Sequence, residues 1–70
     1  VSLEKQVGGN HYKDMEIQPV EFIHENSIPF IEGCVIKYVC RHTYKGGRVD
    51  IEKAIHFLEM LLELEYKKDV

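Results

Sequence analysis

The sequence predicts an all-α fold: a short three-helix domain behind an irregular N-terminal arm, oligomerising through its C-terminal helix. Three observations lead there. No alternating strand pattern extends over a useful length. Proline, glycine and small polar residues fall where helices start and stop. The one segment that could pass for a strand, "CVIKYVC", continues into a lysine-bearing stretch closed by Gly46-Gly47, which reads better as a helix and its stop.

Residues 1–17 have little periodicity and a Gly8-Gly9-Asn10 break, so they read as a mostly irregular arm, and residues 18–66 read as helical. A first short helix starts at "QPVEFIHEN", with Pro19 early, where a missing N–H costs nothing. Asn26 and Ser27 end it, and Ser27 is placed to cap the next helix. The second helix is expected from Pro29 or Phe30 to Tyr44, with Gly33 weakening its first turns. Asp50 is a suitable N-cap for the third, "IEKAIHFLEMLLELEYKK", whose C-terminal lysines match the helix dipole.

Seventy residues make a single domain, 1–70, near the size at which one core barely outweighs the entropy of ordering the chain. Along the third helix Ile51, Ala54, Ile55, Phe57, Leu58, Met60, Leu61, Leu62 and Leu64 cover an arc of roughly 220°, about twice what one neighbour needs. Self-association through this helix is the economical expectation. The alternative is a central helix wrapped by its own chain. Cys34 and Cys40 would lie about 9 Å apart along a helix axis on different faces, so they are expected as reduced thiols in a cytoplasmic protein. No apolar run reaches transmembrane length and no signal peptide is visible, which argues against a membrane partner.

Charge is unevenly placed. The chain carries a net −3, yet no acidic residue lies between Gly33 and Arg48, a window that is +4 while the rest is −7. On a helical wheel Val35, Ile36, Val39, Cys40 and Thr43 fall on one side, expected inward. Lys37, Arg41 and Lys45 follow each other at i, i+4 on the opposite side, flanked by Tyr38 and Tyr44. Three like charges in a row repel, and a phosphate would justify them: arginine as a bidentate fork, lysine as a point charge. Tyr38 or Tyr44 could stack on a base, and Gly46-Gly47 would let backbone N–H groups approach an anion. The competing reading is a solvated face, or one paired with acidic groups of a neighbouring subunit.

The segments "GGNHY", "IQPVEFI", "EGCVIKYVCRHTYKGG" and "DIEKAIHFLEMLLE" together resemble the SaV-like family of small bacteriophage proteins, over about Gly9 to Glu63. The family core K-Y-x-x-R-x-x-x-K-G-G-x-x-D is here Lys37, Tyr38, Arg41, Lys45, Gly46, Gly47 and Asp50. One member is a deoxynucleoside monophosphate kinase without a Walker loop, considerably longer than this chain. Another is linked to sensitivity to a host abortive-infection system. The resemblance therefore implies phage origin, residence in the cytoplasm of an infected or lysogenic bacterium, a homo-oligomer and contact with nucleotides or nucleic acid. No cofactor is required by the residues themselves; Mg would accompany the nucleotide if the protein is a kinase.

Two further constellations carry polar residues at suggestive spacing. "VGGNHYK" lacks the spacing and hydroxyl of a Walker A loop. With Asn10, His11 and Tyr12 it is either a loop that closes over a ligand or an ordinary polar turn, and the family match at "GGNHY" raises the first. Glu52, His56, Glu59 and Glu63 share one stripe of the third helix and could in principle hold a divalent metal. As the only polar stripe of an apolar helix, it is expected to face water instead, so no metal site is assigned. The ligand-binding set is therefore Asn10, His11, Tyr12, Lys37, Tyr38, Arg41, Lys45, Gly46 and Gly47. The functional expectation is a protein binding nucleotides or other phosphate-bearing ligands. Its alternatives are a single-stranded nucleic-acid binder and an interaction module for a host protein.

Overall fold

The computed structural model describes residues 15–66 and contains, in order, α1 (Pro19–Glu25), α2 (Phe30–Arg41) and α3 (Arg48–Tyr66). The described residues are all helical apart from their connections, with no strand. Residues 1–14 of the expected arm, and the C-terminal lysines Lys67 and Lys68, lie outside the described residues.

Helix α1 begins as its proline dictates, with Pro19 in the first turn behind Gln18. Its exit differs from expectation. Ser27 does not cap α2; it adopts a left-handed φ of 51° and ends α1. Its N–H donates to the His24 carbonyl and the Ile28 N–H to the Ile23 carbonyl, the paired reverse bonds of a Schellman ending. The N-cap of α2 is Pro29, whose ring has no capping oxygen to offer.

Helix α2 stops at Arg41, one turn short of Tyr44. Residues 42–47 form a tight connection in which the Gly47 N–H bonds the His42 carbonyl. Gly47 sits at φ 54°, where a side chain would be strained. Helix α3 then starts two residues before the anticipated cap. Asp50 lies inside its first turn, and its carboxylate turns back toward the connection instead of capping the helix N-terminus.

Helices α2 and α3 run antiparallel, as the successive contacts Arg41–Asp50 and Tyr38–Phe57 show. That pairing redraws the inward face of α2 in part: Val35 and Ile36 are half-buried and Lys37 and Lys45 exposed, as the wheel has them, but other positions change sides. Tyr38 and Arg41 turn toward α3, while Val39, Cys40 and Thr43 are exposed. An apolar side chain goes inward only where a neighbouring helix is there to receive it. Helix α1 packs on another side of α2. A Cβ placed on buried Gly33 would lie 3.1 Å from Ile23 Cγ2, so the small residue admits the close approach of the two helices.

The interior is thin. Among the described residues the fully buried positions are Pro19, Gly33, Asp50 and Ala54. Ile51, Phe57, Met60 and Leu61 are half-buried, whereas Ile55, Leu58, Leu62 and Leu64 are exposed, so only part of the wide apolar arc of α3 is covered. Length explains some of this. At about 1.5 Å per residue, a 19-residue helix outruns a 12-residue one by roughly 10 Å, so the C-terminal end of α3 extends past α2.

Candidate phosphate-binding site

The site is built around one carboxylate. Asp50, 1% exposed, accepts two hydrogen bonds from Arg41: Nε to Oδ2 and Nη2 to Oδ1, each 3.0 Å. A third comes from the backbone N–H of Gly46 to Oδ2 at 2.9 Å. The bidentate fork matches the planar guanidinium, which lysine could not reproduce. Gly46 is needed because a Cβ there would collide with the Asp50 carboxylate. The hydrogen bonds from Arg41, helped by the Gly46 N–H and the nearby charge of Lys53, hold the Asp50 carboxyl below the usual carboxylate range despite its burial. This bracket ties the end of α2, the connection and the first turn of α3 into one unit.

Beside it stands Tyr38. Its ring stacks on Phe57 of α3, with centroids 5.9 Å apart and planes 17° from parallel. Three cationic groups gather about the same ring: Arg41 Cζ at 4.8 Å, Lys53 Nζ at 5.3 Å and Lys37 Nζ at 5.8 Å from its centroid. Lys37 and Lys53 are exposed. Two helices thus bring three positive charges to one aromatic platform, and the carboxylate within reach, Asp50, is buried and engaged by Arg41.

Of the residues singled out from sequence, the structure brings Lys37, Tyr38 and Arg41 together, with Gly46 joined to them through Asp50. The anion that the Gly46 N–H meets is thus Asp50, and the Gly47 N–H meets the His42 carbonyl. Exposed Lys45 and Tyr44 lie on the connection beside them. Asn10, His11 and Tyr12 lie outside the described residues. Lys53 was missed. Its signal was available: it follows Asp50 by three residues, which places the two about one turn apart on α3. The stripe of Glu52, His56, Glu59 and Glu63 is exposed, and among the described residues no three His, Cys, Asp or Glu side chains converge on a metal-sized site. Glu52 pairs with Arg48 on the surface at 3.2 Å. Among the same residues no helix is long and apolar enough to cross a membrane.

The family described as a protein of unknown function, DUF3310, matches residues 7–59, a span that includes every residue of the candidate site. No curated protein and no solved structure matches the chain.

Proposed function

The chain belongs to the DUF3310 family, and on that premise we propose that it binds a phosphate-bearing ligand, a nucleotide in the first instance, where α2 and α3 gather positive charge around Tyr38. The observation that carries the reading is the convergence of Lys37, Arg41 and Lys53 on one ring from two helices. Residues 37–53 hold five cationic and two acidic side chains in a chain whose net charge is −3, so the positive potential is local. Lys37 and Lys53, with Lys45 from the connection, engage the phosphate. The fork and the charge of Arg41 are taken up by Asp50, so Arg41 holds the shape of the site, and Gly46 and Gly47 give the connection its close turn. Tyr38 is committed to Phe57, so the contact with a base falls to Tyr44, which is 56% exposed. Asn10, His11 and Tyr12 of the glycine-bearing arm are the proposed further contacts. The resemblance to SaV-like proteins supports nucleotides over other phosphate esters and makes phosphoryl transfer between nucleotides the activity to assay.

Calorimetric titration of the full chain with deoxynucleoside monophosphates, and in parallel with a short oligonucleotide, tests this. Saturable binding is expected, weakened about tenfold by Lys53→Ala or Lys37→Ala if each removes one charge-assisted contact. Glu59→Gln, on the opposite side of α3, should bind like the parent. Absence of binding to either ligand would refute the reading and leave docking onto a host protein as the role of the face.

A further inference from the structure

Both helices of the hairpin meet at Tyr38. Arg41 follows it by three residues and shares its side of α2, while Lys53 and Phe57, four apart, share the side of α3 that faces it. The half-buried ring lies 17° from parallel with Phe57, which fixes its plane. Lys37 is placed differently. As the neighbour of Tyr38 in the chain it leaves the helix about 100° around the axis. Even so, its Nζ ends 5.8 Å from the ring centroid, and that of Lys53 ends at 5.3 Å. Both fall inside the roughly 6 Å over which a ring face attracts a cation.

Electrostatics says what brings these groups together. Lys37, Arg41 and Lys53 repel one another, and exposed lysines are free to relieve that repulsion by swinging apart. No carboxylate gathers them: among the described residues neither Lys37 nor Lys53 has a salt bridge. Asp50 feels the charge of Lys53, but its oxygens are taken up by Arg41 and Gly46. What the three cations share is the ring of Tyr38, whose face is the negative pole of its quadrupole.

We propose that Tyr38 is a positioning residue of the phosphate site: its ring face, set by Phe57, holds the ammonium groups of Lys37 and Lys53 close together before a ligand arrives. The lysines then meet a phosphate with part of their rotamer freedom already given up, and the ligand relieves the repulsion between them. This role rests on the phosphate reading and differs in electronic demand from stacking on a base. Holding a cation requires an electron-rich face, whereas stacking on a base is not weakened when the ring is made electron-poor.

That difference gives the test. Tyr38→Leu removes the face but also the stack on Phe57, so the decisive series keeps the ring. Tyr38→Phe and then mono-, di- and trifluorinated phenylalanine at position 38 leave shape and packing in place while draining the face of charge. Each full-length protein is titrated with deoxyadenosine monophosphate and, separately, with inorganic pyrophosphate, and its melting curve is recorded. Tyr38→Phe should bind like the parent, because the hydroxyl is not used. Affinity should then fall stepwise with fluorination, about fivefold by the trifluorinated ring, with the melting temperature unchanged. Affinity that stays level or rises along the series, in a parent that binds, would overturn the positioning role and leave the phosphate reading standing. A parent that binds neither probe would overturn both.

Discussion

Asp50 is the residue on which local structure and the candidate site both depend. A buried carboxylate is tolerable only when its charge and lone pairs are met, and here Arg41 and Gly46 meet them. Removing one partner leaves the other uncompensated. Arg41→Lys keeps the charge but loses the fork, so it should lower the melting temperature by several degrees; Arg41→Ala should lower it further. Circular-dichroism melts of the two variants beside the parent check the order. This differs from what a purely solvated arginine would give, since neither change would then affect folding. The same bracket predicts an acid limb. Folded Asp50 binds its proton less readily than the unfolded residue, whose value is 3.8. Its contribution is therefore intact above that pH and is lost as pH falls below it, through the lower folded value. Melting curves of the parent should drop in that window more steeply than those of Asp50→Asn, which starts lower and has no such proton to take up.

At the scale of the elements, the two connections set where the helices stop, and both use a left-handed residue. Ser27 holds φ 51° at the end of α1 without being glycine. Since the left-handed conformation costs an L-residue roughly 1–2 kcal/mol, Ser27→Gly should stabilise the protein by about 1 kcal/mol, less the entropy glycine adds to the unfolded chain. Gly47 presents the converse case, with open space around a notional Cβ but φ 54°. Gly47→Ala should thus cost about 1 kcal/mol through backbone strain alone. Gly46→Ala should do more damage, because its Cβ displaces the Asp50 carboxylate from the bracket. Urea denaturation of the three variants would rank them, and equal losses for Gly46→Ala and Gly47→Ala would contradict the collision argument.

Over the whole molecule, charge separates into a cationic end and an acidic remainder: residues 37–53 sum to +3 and the rest of the chain to −6. If Lys37, Lys45 and Lys53 each neutralise one phosphate of a single strand, log affinity should fall with log salt at a slope of about −2. A mononucleotide engaging the same groups should show a shallower dependence, so fluorescence titrations at several salt concentrations distinguish the two ligands. Self-association through the apolar arc of α3, the expectation from the sequence, should make the melting temperature rise with protein concentration, because only the folded protomer binds another copy. A melting temperature independent of concentration would be the contrary result.

Much of this was legible in the amino-acid sequence. Pro19, the Asn26-Ser27 break and Gly46-Gly47 mark three helices because their effects are local: a missing N–H, a left-handed φ and the absence of a Cβ act within a turn of where they stand. The concentration of charge around Lys37, Arg41 and Lys45 is likewise a property of spacing. What spacing could not decide was orientation. A helical wheel divides α2 into two faces but does not say which one meets a neighbour, and tertiary packing turned Tyr38 and Arg41 toward α3 and left Val39 and Cys40 exposed. Nor could it assign Asp50, nine residues from Arg41 along the chain, to a buried ion pair instead of a helix cap, or bring Lys53 to the ring of Tyr38. Those are contacts between helices, and they exist only once the 42–47 connection has folded α3 back along α2.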